Sequence, residues 1–356
     1  MVIPFSNEFH AVHIPWMRRA CELSVLSTGH TAPNPMVGAV LVHNGSIVGE
    51  GRHLRLGAPH AEVEAIRSCF DPSVLPVSTL YVTLEPCNHH GKTPPCTDLI
   101  LACHIPNVVV ACADPHEKVR GRGLQRLVDA GVEVVLGVLE EECAFVNRRF
   151  FTYHSQQRPY VILKWAESAD GFVAPAKPGP YWLSCLASRQ WVHRWRTEEA
   201  AVLVGAGTVL ADDPHLGARL YAGRQPIRVL VEHPPILSGQ LQILRNEGQL
   251  IRIETEAARP LSQQIPRILE QLHEKSVLSV LVEAGPHLQQ AFIDSGLWDE
   301  IRVFTTHAYM SHGLPAAPIP TCAQLYESIP GGGDLLRIYR PNVGSPIPEI
   351  NRIFAP

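Results

Sequence analysis

The chain has 356 residues, 46% apolar and 18% charged, and 30 Lys and Arg stand against 34 Asp and Glu for a formal charge of −4. At roughly 100–200 residues per domain this predicts two globular domains, and it excludes a disordered chain, which would carry fewer apolar residues and more net charge. The mild acidity argues against a protein whose main business is gripping polyanions, while leaving room for a local basic pocket.

The longest stretch free of Asp, Glu, Lys and Arg, Leu23 to Gly49, is broken by Pro33, Pro35 and several glycines. A bilayer span needs about 20 mostly apolar residues, so none is expected. Met1 to His10 holds no Lys or Arg and no apolar run of signal-peptide length. Nine cysteines, an odd number scattered along the chain, do not form a disulfide framework. Cys21, Cys69, Cys103, Cys112, Cys143, Cys185 and Cys322 read as buried or idle thiols, and a reducing cytoplasm is the expected compartment.

Trp16 to Ser27 reads as a helix, with Met17, Ala20, Cys21 and Val25 at helical spacing. Gly38–His43 and Ser46–Gly49 flank Asn44-Gly45, a strong hairpin signal. A helix is expected over Glu62–Cys69, strands over Thr79–Leu84 and Asn107–Cys112, a helix ending near Gly131, and a strand over Val132–Leu136. Alternation of this kind predicts a three-layer α/β domain spanning 1–154. The polar stretch His154–Pro159 reads as the boundary, and a second α/β domain is expected over 159–356. Its strands fall at Tyr160–Lys164, Ala201–Val204, Ile227–Val231 and Val277–Val282. Ser188–Glu199 reads as a helix with Trp191 and Trp195 as a core stripe, and Gly331–Gly333 as a loop tip.

The sharpest chemical signal is Pro59-His60-Ala61-Glu62, then Glu85-Pro86-Cys87, then Cys96. One imidazole and two thiolates make three zinc ligands and leave a fourth position for water, whose pKa the metal lowers toward neutrality. Glu62, two residues from His60 at a helix start, can face the same cavity without binding the metal and move a proton there. Each part is bland alone, since His-Ala-Glu is a common tripeptide and two cysteines can be core thiols. The conjunction is what points to a zinc hydrolase of the deaminase class. A structural zinc would need a fourth ligand, and His89 and His90 are the candidates for it. The general deaminase signature closes with two cysteines separated by two residues, whereas eight residues, Asn88–Pro95, separate Cys87 from Cys96. That loop brings Lys92 and Thr93 to the rim, and Lys92 there is either a solvated charge or an anion contact.

Thr31-Ala-Pro-Asn-Pro-Met-Val-Gly38, Pro59–Glu62, Tyr81–Cys87, His89–Cys96 and Gly121-Arg-Gly123 together resemble the bifunctional deaminase/reductase family of riboflavin biosynthesis. The resemblance continues through Ala206–Pro214 and Leu281–Pro286 and covers nearly the whole chain. It implies an N-terminal cytidine-deaminase-like domain that hydrolyses the 2-amino group of 2,5-diamino-6-ribosylamino-4(3H)-pyrimidinone 5′-phosphate. His60, Cys87 and Cys96 would then hold zinc, Glu62 would shuttle the proton, and Asn34, His53, Lys92, Thr93 and Asp114 would contact substrate. It further implies a dihydrofolate-reductase-like α/β domain that reduces the ribosyl chain to ribityl with NADPH. Ala166, Trp182, Thr208, Asp212 and Gly285 would line the NADPH site. Lys164, Arg196, Leu216, Arg219 and Glu283 would face the substrate, the two arginines suiting its phosphate.

Read without the resemblance, Gly205-Ala-Gly207-Thr208 lacks a complete phosphate-binding fingerprint, and Asn34 and Asp114, each before a proline, also suit turns. Four departures concern the family pattern. One is in the first domain, where His116 stands in place of the usual Asn. In the second, Pro180 stands where a serine helps bind substrate, and the runs Phe172–Pro175 and Phe304–His312 stray; these three suggest a deaminase with a weakened reductase as the alternative. Two other readings keep the zinc. One is a nucleoside or RNA deaminase, which the lack of a basic, aromatic-laced stripe disfavours. The other is a zinc-stabilised binding module without turnover. The expected partners are small pyrimidine ribosyl phosphates, with no nucleic acid and no membrane, and a homo-oligomer is compatible with the sequence.

Overall fold

The computed structural model describes residues 2–4, 11–89, 94–116, 119–176, 181–234 and 237–342, so His90, Lys92, Thr93 and Pro180 lie outside the described residues. The chain divides into two compact units at Gln156/Gln157.

In the first unit the elements run β1 (Val2–Pro4), α1 (Ile14–Val25), β2 (Gly38–His43), β3 (Ser46–Arg52), α2 (Ala61–Ser68), β4 (Thr79–Leu84), α3 (Cys96–Ala102), β5 (Asn107–Cys112), α4 (Arg122–Asp129), β6 (Glu133–Leu136), α5 (Glu140–Val146) and α6 (Arg148–Gln156). The strands form one sheet in the order β1-β6-β5-β4-β2-β3. The β2–β3 hairpin turns on Asn44 and Gly45, both at positive φ (48° and 69°), the geometry that favours Asn-Gly. Its neighbours β4, β5 and β6 pair in parallel, and their nearly unbroken apolar runs are what burial on both faces demands. Strand alternation gives the layers: Gly38 backs directly onto Ala20 of α1, whereas Gly49 and Gly51, on the other face, back onto Ala65 and Ala61 of α2.

The second unit runs β7 (Tyr160–Glu167), β8 (Phe172–Ala174), α7 (Leu186–Glu198), β9 (Ala201–Gly205), α8 (Ala206–Asp212), β10 (Ile227–Glu232), α9 (Gln242–Arg245), β11 (Leu250–Glu254), α10 (Ile265–Glu274), β12 (Ser279–Val282), α11 (Pro286–Ser295), β13 (Glu300–Thr305), β14 (Leu314–Pro315), β15 (Ala323–Gly331) and β16 (Asp334–Pro341). Eight strands form a sheet in the order β11-β10-β9-β12-β7-β13-β16-β15, parallel from β11 to β13 and antiparallel beyond. Alternate residues of β7 feed two cores. Val161 and Leu163 pack with Leu269, Leu272 and Phe292 of α10 and α11, while Tyr160 and Ile162 pack with Val192 and Trp195 of α7. Lys164 therefore projects to the α7 side.

Three expectations shift. The polar stretch from His154 is in part the last turn of α6, which runs to Gln156 and buries Phe150 and Thr152. Strands β11 and β15, at the two edges of the sheet, β16 beside β15, and helix α10 are not among the elements expected from the sequence. Strand β7 extends to Glu167, past the polar residue at which its apolar run stops.

Candidate active sites

In the first unit three side chains meet where β4 ends and two helices begin. His60 is the N-cap of α2 and Cys96 the first residue of α3, while Cys87 follows the last residue of β4 by three. The His60 Nδ1 lies 3.5 Å from Cys87 Sγ and 3.3 Å from Cys96 Sγ. Among the described residues no other His, Cys, Asp or Glu side chains gather this closely, and His89 does not join them. The Cys96 thiol and the imidazole of His60 favour the Cys87 thiolate and lower its pKa, whereas Cys96 is pushed up by that same hydrogen bond and by burial. Glu62, in the first turn of α2, is buried and stands outside the ligand triangle. Burial raises its pKa to about 7.

His53, also buried, faces the Pro59 carbonyl through Nδ1 at 3.0 Å and the Asn34 amide nitrogen through Nε2 at 3.2 Å. A carbonyl only accepts, so Nδ1 carries the proton and Nε2 receives the Asn34 N–H. Burial lowers the His53 pKa, which keeps this neutral tautomer. The segment around Asn34 is pinned by Asn147, which accepts the Met36 N–H and donates to the Met36 carbonyl, both at 2.8 Å. Asp114 accepts the His116 N–H at 2.8 Å, and burial raises its pKa.

Glu85, the first residue of the Glu-Pro-Cys run, organises this rim although no spacing in the sequence signals it. Its buried carboxylate accepts backbone N–H groups from Asp114 (3.1 Å), Gly121 (2.9 Å), Gly123 (2.8 Å) and Leu124 (3.4 Å). A Cβ at Gly123 would lie 2.2 Å from the Pro86 carbonyl oxygen, so the Gly-Arg-Gly run admits the close approach that Glu85 holds.

In the second unit the substrate-side residues converge. The Arg196 guanidinium grips Glu283 with Nε–Oε1 at 2.7 Å and Nη2–Oε2 at 2.9 Å, and its Nη1 donates to the Gly217 carbonyl at 3.0 Å. Lys164 Nζ stands 3.6 Å from Glu283 Oε2, with all three side chains at most 15% exposed. Burial opposes the Glu283 charge, but Arg196 and Lys164 overcome it and hold its pKa at about 2; burial lowers that of Lys164. Arg196 is thus engaged by Glu283 and Gly217, whereas Arg219 is exposed and without an ion pair among the described residues. Leu216 is buried with a left-handed φ of 61°. The start of α7 is fixed by Asp334, which accepts from the Cys185 N–H (2.9 Å) and the Ser188 hydroxyl (2.6 Å).

The expected cofactor residues are only partly gathered. The Gly285 N–H donates to Thr208 Oγ1 at 3.0 Å, joining the starts of α8 and α11 beyond the parallel strands β9 and β12. Ala166 lies on β7, Asp212 ends α8 with its pKa raised by burial, and Trp182 is exposed with the Arg189 guanidinium 4.9 Å over its ring. The divergent Phe304–His312 stretch is anchored: Asp170 accepts the Met310 and Ser311 N–H groups at 3.0 and 2.7 Å.

Residues 11–112 match the family described as the cytidine and deoxycytidylate deaminase zinc-binding region, and residues 159–307 match the RibD C-terminal domain. The riboflavin biosynthesis protein RibD of Aquifex aeolicus is 39% identical over 315 residues, covering 84% of this chain and 88% of that protein. RibD of Escherichia coli is 36% identical over 317 residues, covering 81% and 86%. The crystal structure of a diaminohydroxyphosphoribosylaminopyrimidine deaminase/5-amino-6-(5-phosphoribosylamino)uracil reductase from Thermotoga maritima is 37% identical and superposes with a TM-score of 0.84, covering 93% of this chain and 99% of that one. Likeness of this extent through both halves makes the chain a member of the RibD family, the bifunctional enzymes of riboflavin biosynthesis that join a zinc-binding deaminase domain to an NADPH-dependent reductase domain.

Proposed function

We propose that residues 1–154 deaminate 2,5-diamino-6-ribosylamino-4(3H)-pyrimidinone 5′-phosphate and that residues 159–356 reduce the ribosyl chain of the product, 5-amino-6-(5-phosphoribosylamino)uracil, to ribityl. The observation that carries this reading is the His60, Cys87 and Cys96 triangle with Glu62 beside it and outside it. Tetrahedral zinc with ordinary Zn–S and Zn–N bonds sets its N and S ligands about 3.5 Å apart. The separations of 3.3 and 3.5 Å fit that ion. Zinc held there supplies an acidified water at its open position.

The remaining work falls to side chains. Glu62 takes a proton as the water oxygen bonds to the amino-bearing ring carbon, and returns it to the amino nitrogen as the C–N bond breaks and ammonia leaves. A dication at the triangle favours the ionised form with which Glu62 starts. His53, fixed as the Nδ1–H tautomer, orients the Asn34 amide toward the substrate. Asp114, on the rim held by Glu85, is suited to sugar hydroxyls, and Lys92 and Thr93 to the ribosyl phosphate.

For the reductase, NADPH supplies the hydride when bound. The joined starts of α8 and α11, with Thr208 and Gly285, fit an anionic group beyond the parallel strands. Ala166, Trp182 and Asp212 would complete that site. Lys164, aligned by Glu283, polarises the oxygen of the opening ribose, Leu216 walls the pocket, and Arg219 takes the phosphate.

Among the described residues no helix is long and apolar enough to cross a membrane, and all nine cysteines are free thiols. Ammonia release from the diaminopyrimidine ribosyl phosphate, set beside cytidine and tRNA, tests the substrate assignment. Turnover confined to the first is expected, and faster turnover of cytidine or tRNA would refute it.

A further inference from the structure

Residues 215–220 form neither helix nor strand, yet side chains hold the backbone of 217–220 at almost every polar group. The Gly217 N–H donates to His215 Nδ1 at 3.1 Å, and the Gly217 carbonyl accepts from Arg196. Gln225 brackets Ala218, accepting its N–H at 2.8 Å and donating to its carbonyl at 2.9 Å. The N–H groups of Arg219 and Leu220 both point to His193 Nδ1, at 2.7 and 3.3 Å. His193 and Arg196 lie three residues apart on α7, hence on one face, and grip the two ends of this segment. The left-handed Leu216 just before it is a conformation that persists only where its surroundings enforce it.

A backbone N–H can only donate, so Nδ1 of His193 is the bare acceptor and the proton of the neutral ring sits on Nε2. The ring is buried, and Arg196, Arg219 and Lys164 outweigh the single carboxylate of Glu283 around it. Burial first, and these cations next, hold its pKa at about 4, so the neutral form persists at ordinary pH.

We propose that His193 is a positioning residue of the reductase site: by accepting the N–H groups of Arg219 and Leu220 it fixes the backbone from which the Arg219 guanidinium departs, and so sets recognition of a phosphate monoester. This rests on the reading of Arg219 given above. It gives a task to a histidine that neither touches the reacting atoms nor forms part of any motif in the sequence.

The test uses the full zinc-loaded chain and measures reductase kinetics on the deaminated ribosyl phosphate and on its phosphate-free ribosyl analogue. Asn and Gln separate the acceptor from the bulk. The Asn oxygen falls where Nδ1 stands, whereas Gln is nearer to His in volume but carries its oxygen further out. His193→Asn is expected to keep the phosphate substrate KM within about twofold, and His193→Gln to raise it about tenfold with the phosphate preference falling in step. The NADPH KM and ammonia release stay unchanged in both. Gln performing as well as Asn, or both variants losing NADPH binding, overturns the proposal. Arg219→Ala separates the two layers. If it leaves the phosphate preference intact, the Arg219 reading itself fails. If it abolishes the preference while His193→Gln does not, only the role of His193 fails. ¹⁵N-histidine spectra of the unsubstituted protein give an answer independent of any variant's folding. The resonance missing from His193→Asn should show an acceptor-type Nδ1, and a protonated Nδ1 there contradicts the inference.

Discussion

Arg196 and Glu283 meet side-on, Nε to Oε1 at 2.7 Å and Nη2 to Oε2 at 2.9 Å, and this pair joins α7 to the residue that follows β12. Lys164 on β7 completes it at 3.6 Å. Removing Glu283 leaves two cations facing each other in a buried site, and breaking a pair of this kind costs about 3–5 kcal/mol. Glu283→Ala is therefore expected to abolish reduction and lower denaturant stability by that order, while ammonia release survives. Five of the six tryptophans lie beyond residue 159, so their fluorescence reports the second unit. An unshifted fluorescence transition would count against the pair as a structural anchor.

The same carboxylate gives a pH dependence. Its folded pKa of about 2 lies below the ordinary 4.5, so its contribution is complete above pH 4.5 and is lost as pH falls toward 2. A shift of that size corresponds to about 3 kcal/mol, which the cost of burying the Lys164 ammonium partly offsets. Stability of the Glu283→Gln variant, followed through tryptophan fluorescence, should fall less than that of the parent between pH 4.5 and 3. Parallel curves would remove Glu283 from the acid response.

Glu62 is buried beside the zinc ligands without being one of them. Glu62→Gln should lower ammonia release at least about a hundredfold, the scale of a lost proton shuttle, with zinc content unchanged. Chelation should likewise stop ammonia release and spare reduction of substrate deaminated beforehand. A variant that keeps its turnover, or loses its zinc, would contradict the role.

Glu85 makes a different kind of contribution, since its oxygens receive four N–H groups from the loop bearing Asp114 and the start of α4. An amide in its place turns an NH₂ toward two of those donors. Glu85→Gln should destabilise the first unit by about 1–3 kcal/mol and raise the deaminase KM while zinc remains bound. An unchanged KM, measured by ammonia release, would reduce Glu85 to a motif residue without a positioning role.

Much of this was legible in the chain because chemistry and secondary structure share the same few residues. His60 caps a helix, Cys96 opens one, and Cys87 follows a buried strand, so local pattern placed all three zinc ligands. Glu85, Asn147 and His193 were not legible, because their work is to hold backbone groups 26 to 111 residues away in sequence. No spacing rule reports such pairings. Arg196 shows what the fold adds to such a reading. An arginine at a substrate position suggests a phosphate, but only the fold reveals that Glu283 and Gly217 already occupy it. The edge strand β15 escapes the sequence for a related reason, being half-exposed and polar-laced, while its neighbour β16 alternates buried residues with half-buried polar ones such as Arg337.

The most direct measurement is mass spectrometry of the products formed from the diaminopyrimidine ribosyl phosphate by the zinc-loaded protein, with and without NADPH. The deaminated ribosyl compound alone without NADPH, and its ribityl form with it, is the expected result. Deamination that NADPH leaves unaltered would contradict the reductase assignment of Lys164, Arg219 and Glu283, and substrate returned unchanged in both would contradict the zinc site and Glu62.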